Sequence, residues 1–427
     1  MAKRRANGEG TITKRADGRY QAAAYVYRPD GTRTRKFAYG KSRAEVAEKL
    51  TELQEKTRQC IPAAESTMAF GDYLTYWLAT IAPQRLKPST LNSYEGLTRL
   101  YIRPALGKKR LNRLSPADVR RFLAEFKDSC LCCLRGADAE RPEGKRSCCA
   151  VGRCCERRPS ARTVQYTHAV LRSSLQQAIR EELIARNVAR IVETPAVTRK
   201  EVRPLDAAEA RIMLRTARAH RLYALWLLLV STGLRRGEAL ALTWGDVDLT
   251  NGQLRIRRNV QRIRRELIFG TPKTMRSMRT VSLPKHCMRA LTQHRVQQER
   301  ERMVAGKEWQ PAPGHPNGLI FTTSTGRVTD PRSLNRMLTI LCRDAGVRRV
   351  RVHDLRHTCA SLLLAQGVDA RTIMETLGHS TITMTLDTYA HVMSTTLKAA
   401  AGRMDNALGL DDPEEESSGE QEADAAE

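Results

Sequence analysis

The sequence predicts a multidomain protein that is mainly α-helical with small β parts. A chain of 427 residues exceeds what one compact hydrophobic core usually holds, so several domains are expected. Apolar residues recur at helical spacing, as in Phe70, Tyr73, Leu74, Trp77 and Leu78, which predicts amphipathic helices. Asp-Gly pairs between short alternating segments near the N-terminus predict β-hairpins.

Residues 1–60 are predicted to form a small basic module of three strands followed by one helix. Asp-Gly turns at residues 17–18 and 30–31 separate the strands, and Ser42 is a candidate N-cap for the helix. The module contains 15 Lys and Arg residues against seven Asp and Glu residues, which predicts a polyanionic partner. A basic β-appendage without a specific binding site is the alternative interpretation.

Residues 66–195 are predicted to form a helical domain that is interrupted by a cysteine-rich insert at residues 128–158. Seven of the chain's 11 cysteines lie there within 26 residues. Since four thiolates from two clusters can complete a tetrahedral zinc site, the insert is interpreted as a structural zinc knuckle. The candidate ligands are Cys130, Cys133, Cys149 and Cys154. The alternative ligands are Cys132, Cys148 and Cys155. Free or redox-active thiols, or an insert without fixed structure, remain open.

Residues 200–408 are predicted to form a mixed α/β, mostly helical domain, followed by an acidic tail without fixed structure at residues 409–427. The sequence favours strands over 254–268 and 279–283, on either side of a hairpin that contains Lys273. Residues 411–427 carry nine acidic side chains and no basic one, so residues 1–410 carry about +36 against +27 for the whole chain. Such an excess predicts DNA as the partner and a steep dependence of binding on salt.

The location predicted from the sequence is cytoplasmic. No apolar stretch follows the basic N-terminus, so a secretory signal is not expected. The longest apolar run, residues 222–230, is too short to span a bilayer and predicts a buried helix.

Five short motifs in the second half of the chain combine residues suited to chemistry on a phosphodiester. They lie at residues 232–238, 271–274, 353–358, 377–379 and 389–392, and their members include Arg235, Lys273, His353, Arg356, His379 and Tyr389. Arginines can donate paired hydrogen bonds to non-bridging phosphate oxygens. Lysine and histidine can move protons, and a tyrosine oxygen can act as a covalent nucleophile.

The order and local sequence of these motifs closely resemble the catalytic domain of tyrosine recombinases, the phage integrase family, in its actinobacterial form. The resemblance spans residues 200–395. It implies a site-specific DNA recombinase that cleaves and rejoins DNA through a 3′-phosphotyrosine, without metal or ATP. It assigns Tyr389 as the nucleophile, Arg235 and Arg356 as the residues that stabilise the phosphate charge, and Lys273 as the acid that protonates the 5′-oxygen.

The same resemblance implies supporting roles for neighbouring residues. His379 would hydrogen-bond the phosphate or pack beside it, and Glu238 would orient the first catalytic arginine. His353 lies three residues before the second catalytic arginine, so both would share one helix face and reach one phosphate. Arg276 and Arg279 are expected to contact phosphate or to be surface charges.

The regions before residue 200 resemble the arm-site and core-binding domains of the same family. They imply the integrase of a phage or mobile element, with double-stranded arm and core attachment DNA as partners. A homotetramer on DNA, a host bending protein, an excision factor and association with the nucleoid are expected by the same resemblance. No cofactor is expected for catalysis, and a structural zinc ion is the one metal considered. A helix over residues 392–408 is expected to dock on a neighbouring subunit.

Three other functions fit part of the sequence. A type IB topoisomerase would use similar catalytic residues, but the arm-like and core-binding regions disfavour it. A DNA-binding regulator with an inactive site is disfavoured by the complete set of six catalytic residues. A metal-dependent transposase is disfavoured because the sequence lacks an acidic cluster suited to two metal ions.

Overall fold

The computed structural model describes residues 10–27, 33–58, 68–198, 203–271, 277–312, 314, 318–378, 404 and 408. The chain divides into two compact units, Met1–Arg199 and Lys200–Glu427. Helices predominate among the described residues, and their β structure forms three small sheets, which confirms the predicted fold class. None of the described helices is long and apolar enough to cross a membrane.

The first unit begins with an antiparallel three-stranded sheet and one helix. The elements are β1 (Thr11–Lys14), β2 (Tyr20–Tyr27), β3 (Arg33–Gly40) and α1 (Arg43–Arg58), and the strand order is β1-β2-β3. Gly18 has a φ of +80°, which fits the predicted turn. Ser42 caps α1, since its Oγ accepts a hydrogen bond from the backbone N–H of Glu45 at 3.1 Å. The second predicted turn lies outside the described residues.

Helices form the rest of the first unit. They are α2 (Phe70–Tyr76), a π-helical turn (Trp77–Ile81), α3 (Ala82–Arg85), α4 (Pro88–Leu97), a second π-helical turn (Thr98–Ile102), α5 (Arg103–Leu106), α6 (Pro116–Asp128), α7 (Leu131–Arg135) and α8 (Ala161–Arg180), with short 3-10 turns at Leu111–Arg113, Glu143–Lys145, Cys149–Val151 and Val188–Ile191. The predicted apolar face is confirmed, because Phe70, Tyr73, Leu74 and Trp77 are all buried in one core.

The cysteine-rich insert, residues 128–158, leaves the helical core and returns to it at nearly the same place. The backbone N–H of Leu131 donates to the carbonyl of Arg157 at 2.9 Å. Arg135 anchors the insert on the core, because its Nε donates to the hydroxyl of Tyr101 and its guanidinium lies 5.2 Å from the centre of that ring. The helices on either side, α6 and α8, pack against each other.

The second unit is mostly helical with two small sheets. Its elements are α9 (Ala207–Ala217), α10 (Tyr223–Thr232), α11 (Arg236–Leu240), β4 (Val247–Asp248), β5 (Gln253–Ile256), β6 (Asn259–Ile263), β7 (Glu266–Gly270), β8 (Arg279–Ser282), α12 (Lys285–Ala305), α13 (Pro331–Asp344), α14 (Val352–Ala365) and α15 (Ala370–Leu377), with 3-10 turns at Trp244–Asp246 and Gly306–Glu308. Helix α10 is apolar all round, as predicted, and eight of its ten residues are buried.

The predicted β region divides between two sheets. Strands β4, β5 and β8 form one antiparallel sheet, and β6 pairs with β7 in a separate hairpin. The break falls where Arg258 turns aside to donate to Asp246 at 2.7 Å and to the hydroxyl of Thr243 at 3.0 Å. The β5–β8 pairing sets Arg279, the first residue of β8, opposite Ile256, the last residue of β5.

Candidate functional site

A glycine turn between α10 and α11 positions Arg235. Gly233 ends α10 with a φ of +61°, and a Cβ on it would overlap the side chain of Leu377 on α15. Any other residue there would be strained in its backbone and would push α15 away. Arg235 then occupies the N-cap of α11, with its side chain 37% exposed. The turn therefore keeps the guanidinium group accessible at the start of a short helix.

Glu238 is buried beneath Arg235 and binds it through two hydrogen bonds. Its Oε1 accepts from Nη1 of Arg235 at 2.8 Å, and its Oε2 accepts from the backbone N–H of Arg235 at 3.1 Å. Burial alone would raise the pKa of Glu238, but the charges of Arg279 and Arg235 outweigh it and lower the pKa below its usual value. Glu238 is therefore ionised and able to orient Arg235.

Arg279 is a buried member of the same cluster, which contradicts one of its two predicted roles, that of a surface charge. Its side chain is only 7% exposed. Its Nη2 donates to Oε2 of Glu238 at 3.1 Å, its Nε donates to the carbonyl of Thr376 at 2.8 Å, and its Nη1 donates to the carbonyl of Ser277 at 3.2 Å. The physical reason is the buried carboxylate of Glu238, which stabilises a second positive charge beside Arg235.

The second predicted catalytic arginine is attached to the same glycine turn. Arg356 lies on α14, is 2% exposed, and donates from Nη1 to the carbonyl of Gly233 at 2.8 Å. Arg235 reaches the end of α15 in a similar way, since its Nη2 donates to the carbonyl of Gly378 at 3.0 Å. Two arginines that are far apart in the sequence are thus fixed on one backbone turn.

His353 and His357 lie one helical turn apart on α14. Their ring centres are 5.3 Å apart and the rings are nearly perpendicular, at 86°. Burial and the neighbouring charge of His353 lower the pKa of His357 to about 4. Partial removal from water, with a contribution from Arg356, also lowers the pKa of His353. Both imidazoles are therefore neutral at pH 7 and can accept a proton.

An open cavity of 680 Å³ begins at Arg235 and His353. The described residues that line it are Arg235, Arg236, Gly237, Glu238, Asn259, Val260, Gln261, Arg262, Ser277, Pro331, Arg332, Asn335, Arg351, Val352 and His353. Five of them are arginines, so the cavity suits a polyanion. Sequence reasoning missed Arg262 and Arg332, because β6 and α13 carry no motif that marks these positions.

A sequence model of the phage integrase family matches residues 198–395, the region that contains the arginine cluster, the histidines and the cavity. The chain belongs to the phage integrase family. A second match, to the N-terminal SAM-like domain of phage integrases, covers residues 69–126. The resemblance predicted from the motifs is therefore confirmed.

Relatives named integrase match nearly the whole length of this chain. One from Streptomyces ambofaciens is 28% identical, over 95% of this chain and 98% of its own length. Another from Saccharopolyspora erythraea is 26% identical, over 94% of this chain and 97% of its own length. A protein named tyrosine recombinase XerC-like, from Caldanaerobacter subterraneus subsp. tengcongensis, is 27% identical over 85% of this chain and 90% of its own length.

Solved integrases share the fold. The Tn1549 transposon integrase, in complex with transposon right end DNA, has a TM-score of 0.60 at 19% identity, covering 79% of this chain and 99% of that one. A lambda integrase dimer bound to a core site has a TM-score of 0.51 at 17% identity, covering 75% of this chain and 95% of that one. At such low identity the comparison establishes the fold.

Three predicted site residues lie outside the described residues. Lys273 falls between β7 and β8, and His379 and Tyr389 follow Gly378 in the sequence. Their roles remain predictions from the motif. Most of the predicted helix over residues 392–408 and the whole acidic tail are likewise outside the described part of the chain.

The cysteine-rich insert brings thiol groups from both of its ends together. The sulfur atoms of Cys130, Cys133, Cys148 and Cys154 all lie within 4.8 Å of one another. Cys149, which was among the predicted ligands, instead groups with Cys132 and Cys148. Where the sequence favoured Cys149, the geometry thus favours its neighbour Cys148, which was predicted as an alternative.

The distances within this cluster match those of a tetrahedral thiolate site. A zinc–sulfur distance of about 2.3 Å and tetrahedral angles require sulfur atoms roughly 3.8 Å apart. The Sγ atom of Cys148 lies 3.9 Å from that of Cys130 and 3.7 Å from that of Cys133. The Sγ atom of Cys155 lies 3.6 Å from that of Cys130. Cys154 and Cys155 therefore compete for the fourth position.

A buried carboxylate shapes the second cysteine loop. Asp138 is 0% exposed and accepts hydrogen bonds from the backbone N–H groups of Ser147 at 2.9 Å, Cys148 at 2.8 Å and Ala150 at 3.1 Å. Arg141 adds a fourth, from Nη1 at 3.0 Å. Because one carboxylate binds the loop backbone at Ser147, Cys148 and Ala150, it fixes the direction of the Cys148 side chain.

Proposed function

We propose that this chain is a site-specific DNA recombinase that cleaves and rejoins DNA through a 3′-phosphotyrosine intermediate, and so integrates or excises a phage or mobile element. The observation that carries the proposal is how two arginines are held: Arg356 donates to the carbonyl of Gly233, and Arg235, two residues after that turn, donates to the carbonyl of Gly378 and lines an open, arginine-rich cavity. Two guanidinium groups held in fixed positions suit the extra negative charge of a pentacoordinate phosphate.

The proposed cleavage needs neither metal nor ATP. The oxygen of Tyr389 forms a bond to phosphorus while the bond from phosphorus to the 5′-oxygen breaks. The phenolic proton passes to His353, and Lys273 gives a proton to the departing 5′-oxygen. The phosphotyrosine retains the energy of the ester, so attack by a 5′-hydroxyl of a second strand reverses the step.

The test is to trap the covalent protein–DNA adduct on an attachment-site duplex with a nick close to the cleavage site. Cleavage then releases a short fragment with a 5′-hydroxyl, and because this fragment diffuses away, the strand cannot be rejoined. The proposal expects a protein–DNA adduct in the presence of EDTA, with the DNA linked through its 3′ end. A supercoiled plasmid without an attachment site separates the recombinase from a topoisomerase, because a topoisomerase would relax it. DNA binding without any adduct would identify a regulator, and cleavage that requires magnesium would identify a metal-dependent enzyme.

The acid side of the pH profile tests the role of His353. A lowered pKa means that His353 stays neutral through the range in which a free histidine, with a pKa of about 6.5, becomes charged. We therefore expect the single-turnover rate of adduct formation to hold from pH 8 to below about pH 6.5 and to fall only at lower pH. His353→Gln should lower the rate and remove this dependence. A rate that already falls by half at pH 7 would contradict the assignment.

We propose that the partners are double-stranded core and arm attachment sites and that four copies assemble on two DNA sites. Recombination requires four strand cleavages, which accounts for the tetramer. The basic module of residues 1–60 suits arm DNA, and the cavity with its arginines suits the core site. A host bending protein, an excision factor and a cytoplasmic, nucleoid-associated location complete the proposal.

We also propose a structural zinc ion in the cysteine-rich insert, held by Cys130, Cys133, Cys148 and Cys154. The sulfur separations and the buried loop at Asp138 support this ligand set. The metal would stabilise the insert and take no part in the cleavage step.

Metal analysis of the purified chain should find about one zinc per molecule, as expected for a four-thiolate site. Cys148→Ser should abolish zinc binding, because Cys148 lies near two of the other three ligands. The neighbouring Cys149→Ser is the matched control and should retain the metal. Stoichiometric zinc in Cys148→Ser, or a folded and active protein that contains none as purified, would contradict the proposal.

A further inference from the structure

Arg279 completes a closed ring of hydrogen bonds around the first catalytic arginine. Arg235 donates to Oε1 of Glu238 at 2.8 Å, and Arg279 donates to Oε2 of the same carboxylate at 3.1 Å. Arg235 and Arg279 then each donate to a backbone carbonyl at the C-terminal end of α15, those of Gly378 at 3.0 Å and Thr376 at 2.8 Å. Three separate parts of the second unit are thereby joined.

The carboxylate of Glu238 needs both arginines to keep its place. It is 2% exposed, so it has little access to water, and its two oxygens are directed to different guanidinium groups. With Arg279 removed, one oxygen of a buried carboxylate would lose its charged partner, which is costly enough to make the side chain move or take up a proton. Either response would release Arg235 from its present orientation.

The end of α15 is fitted to Arg279 as well. Gly378 has a φ of +67°, and a Cβ on it would come within 3.1 Å of two atoms of the Arg279 side chain. The carbonyls at a helix C-terminus carry partial negative charge, which attracts cations. Arg279 and Arg235 therefore bind this helix end through charge as well as through hydrogen bonds. The chain continues directly from Gly378 to His379 and the tyrosine motif.

We propose that Arg279 is a positioning residue for strand cleavage. It holds Arg235 through Glu238, and it ties the orientation of Arg235 to the docking of the C-terminal end of α15. Arg235 is then correctly oriented to stabilise the phosphate charge only when α15, the helix that precedes the tyrosine segment, is docked. This inference rests on the proposed recombinase function.

The first measurement compares Arg279→Met with the wild-type protein on the nicked attachment-site duplex. We expect the single-turnover rate of adduct formation to fall by roughly 100-fold, as for misplacement of a reacting group by about 1 Å. The dissociation constant for DNA should change less than threefold, since Arg279 is buried and is not among the cavity-lining residues. Arg279→Lys keeps the charge and should recover part of the rate.

Arg221 provides a matched control. It also binds a glutamate and a backbone carbonyl, those of Glu301 and Thr322, and it lies in the same unit. Arg221→Met should lower the melting temperature about as much as Arg279→Met while the cleavage rate of the folded protein stays at the wild-type value. Equal rate losses in the two variants would mean that Arg279 only stabilises the fold.

A neutral substrate separates positioning of Arg235 from other effects. A methylphosphonate at the scissile position removes the charge that Arg235 neutralises, so the loss caused by Arg279→Met should shrink to less than fivefold. An undiminished loss on this substrate would overturn the inference, as would an unchanged rate on natural DNA. If the wild-type protein forms no adduct at all, the proposed function itself fails, and that outcome is distinct from both.

Discussion

Replacing Tyr389 by phenylalanine is expected to abolish covalent attachment to DNA and leave DNA binding intact. The change removes one oxygen atom, the proposed nucleophile, and leaves the rest of the side chain the same. In the sequence, Tyr389 is the one tyrosine that is followed by Ala-His-Val, and it lies within the region that matches the family model. Denaturing gels of the nicked-duplex reaction measure the adduct, and gel shifts measure binding.

Tyr223→Phe is the control for this prediction, because it removes the same oxygen from a tyrosine of α10 in the same unit. It should form adduct at the wild-type rate. Persistent adduct or strand exchange by Tyr389→Phe would show that another residue attacks the phosphate.

Substituting lysine for Arg356 should reduce the rate of adduct formation by about 100- to 1,000-fold, equivalent to roughly 3–4 kcal/mol of lost transition-state stabilisation. Arg356 already donates from Nη1 to the carbonyl of Gly233. A guanidinium carries five N–H donors in a planar fork that suits phosphate, whereas a lysine ammonium is a single compact point charge. The single-turnover rate at saturating DNA measures the effect.

Arg348→Lys tests whether the loss of any hydrogen-bonded guanidinium in this unit would have the same effect. Arg348 binds Glu209 and the carbonyl of Arg203, and it is not among the residues that line the cavity. It should cost stability without slowing adduct formation. A loss of less than fivefold for Arg356→Lys would argue that Arg356 supports the turn at Gly233 and does not stabilise charge on the phosphate.

Local features of the site were predictable from the sequence. The pairing of Arg235 with Glu238 lies within one helical turn, and His353 and Arg356 share one helix, so spacing along the chain was enough. The cap at Ser42 follows from residue type for the same reason.

Long-range features were not predictable. Arg279 is 41 residues from Glu238 and 97 from Thr376, and no local pattern indicates that such distant groups meet around one buried charge. The choice between Cys148 and Cys149 was hidden for a different reason. Two adjacent cysteines fit the spacing of a zinc motif equally well. The structure favours Cys148 because the hydrogen bond from its backbone N–H to Asp138 fixes the loop there.

The hydrogen bond between Leu131 and Arg157 has a consequence for how this region can vary. The insert leaves and re-enters the helical domain at nearly the same place. Its two ends are therefore as close together as the ends of a short loop, whatever the length of the insert. Lengthening such a loop costs little chain entropy, about 0.6 kcal/mol for each doubling. Residues can therefore be added to or removed from the insert with little effect on the core shared by α6 and α8, as long as the contact of Arg135 with Tyr101 is kept. Differences in the sequence of the insert would then change the surface that it presents and leave the helical domain the same.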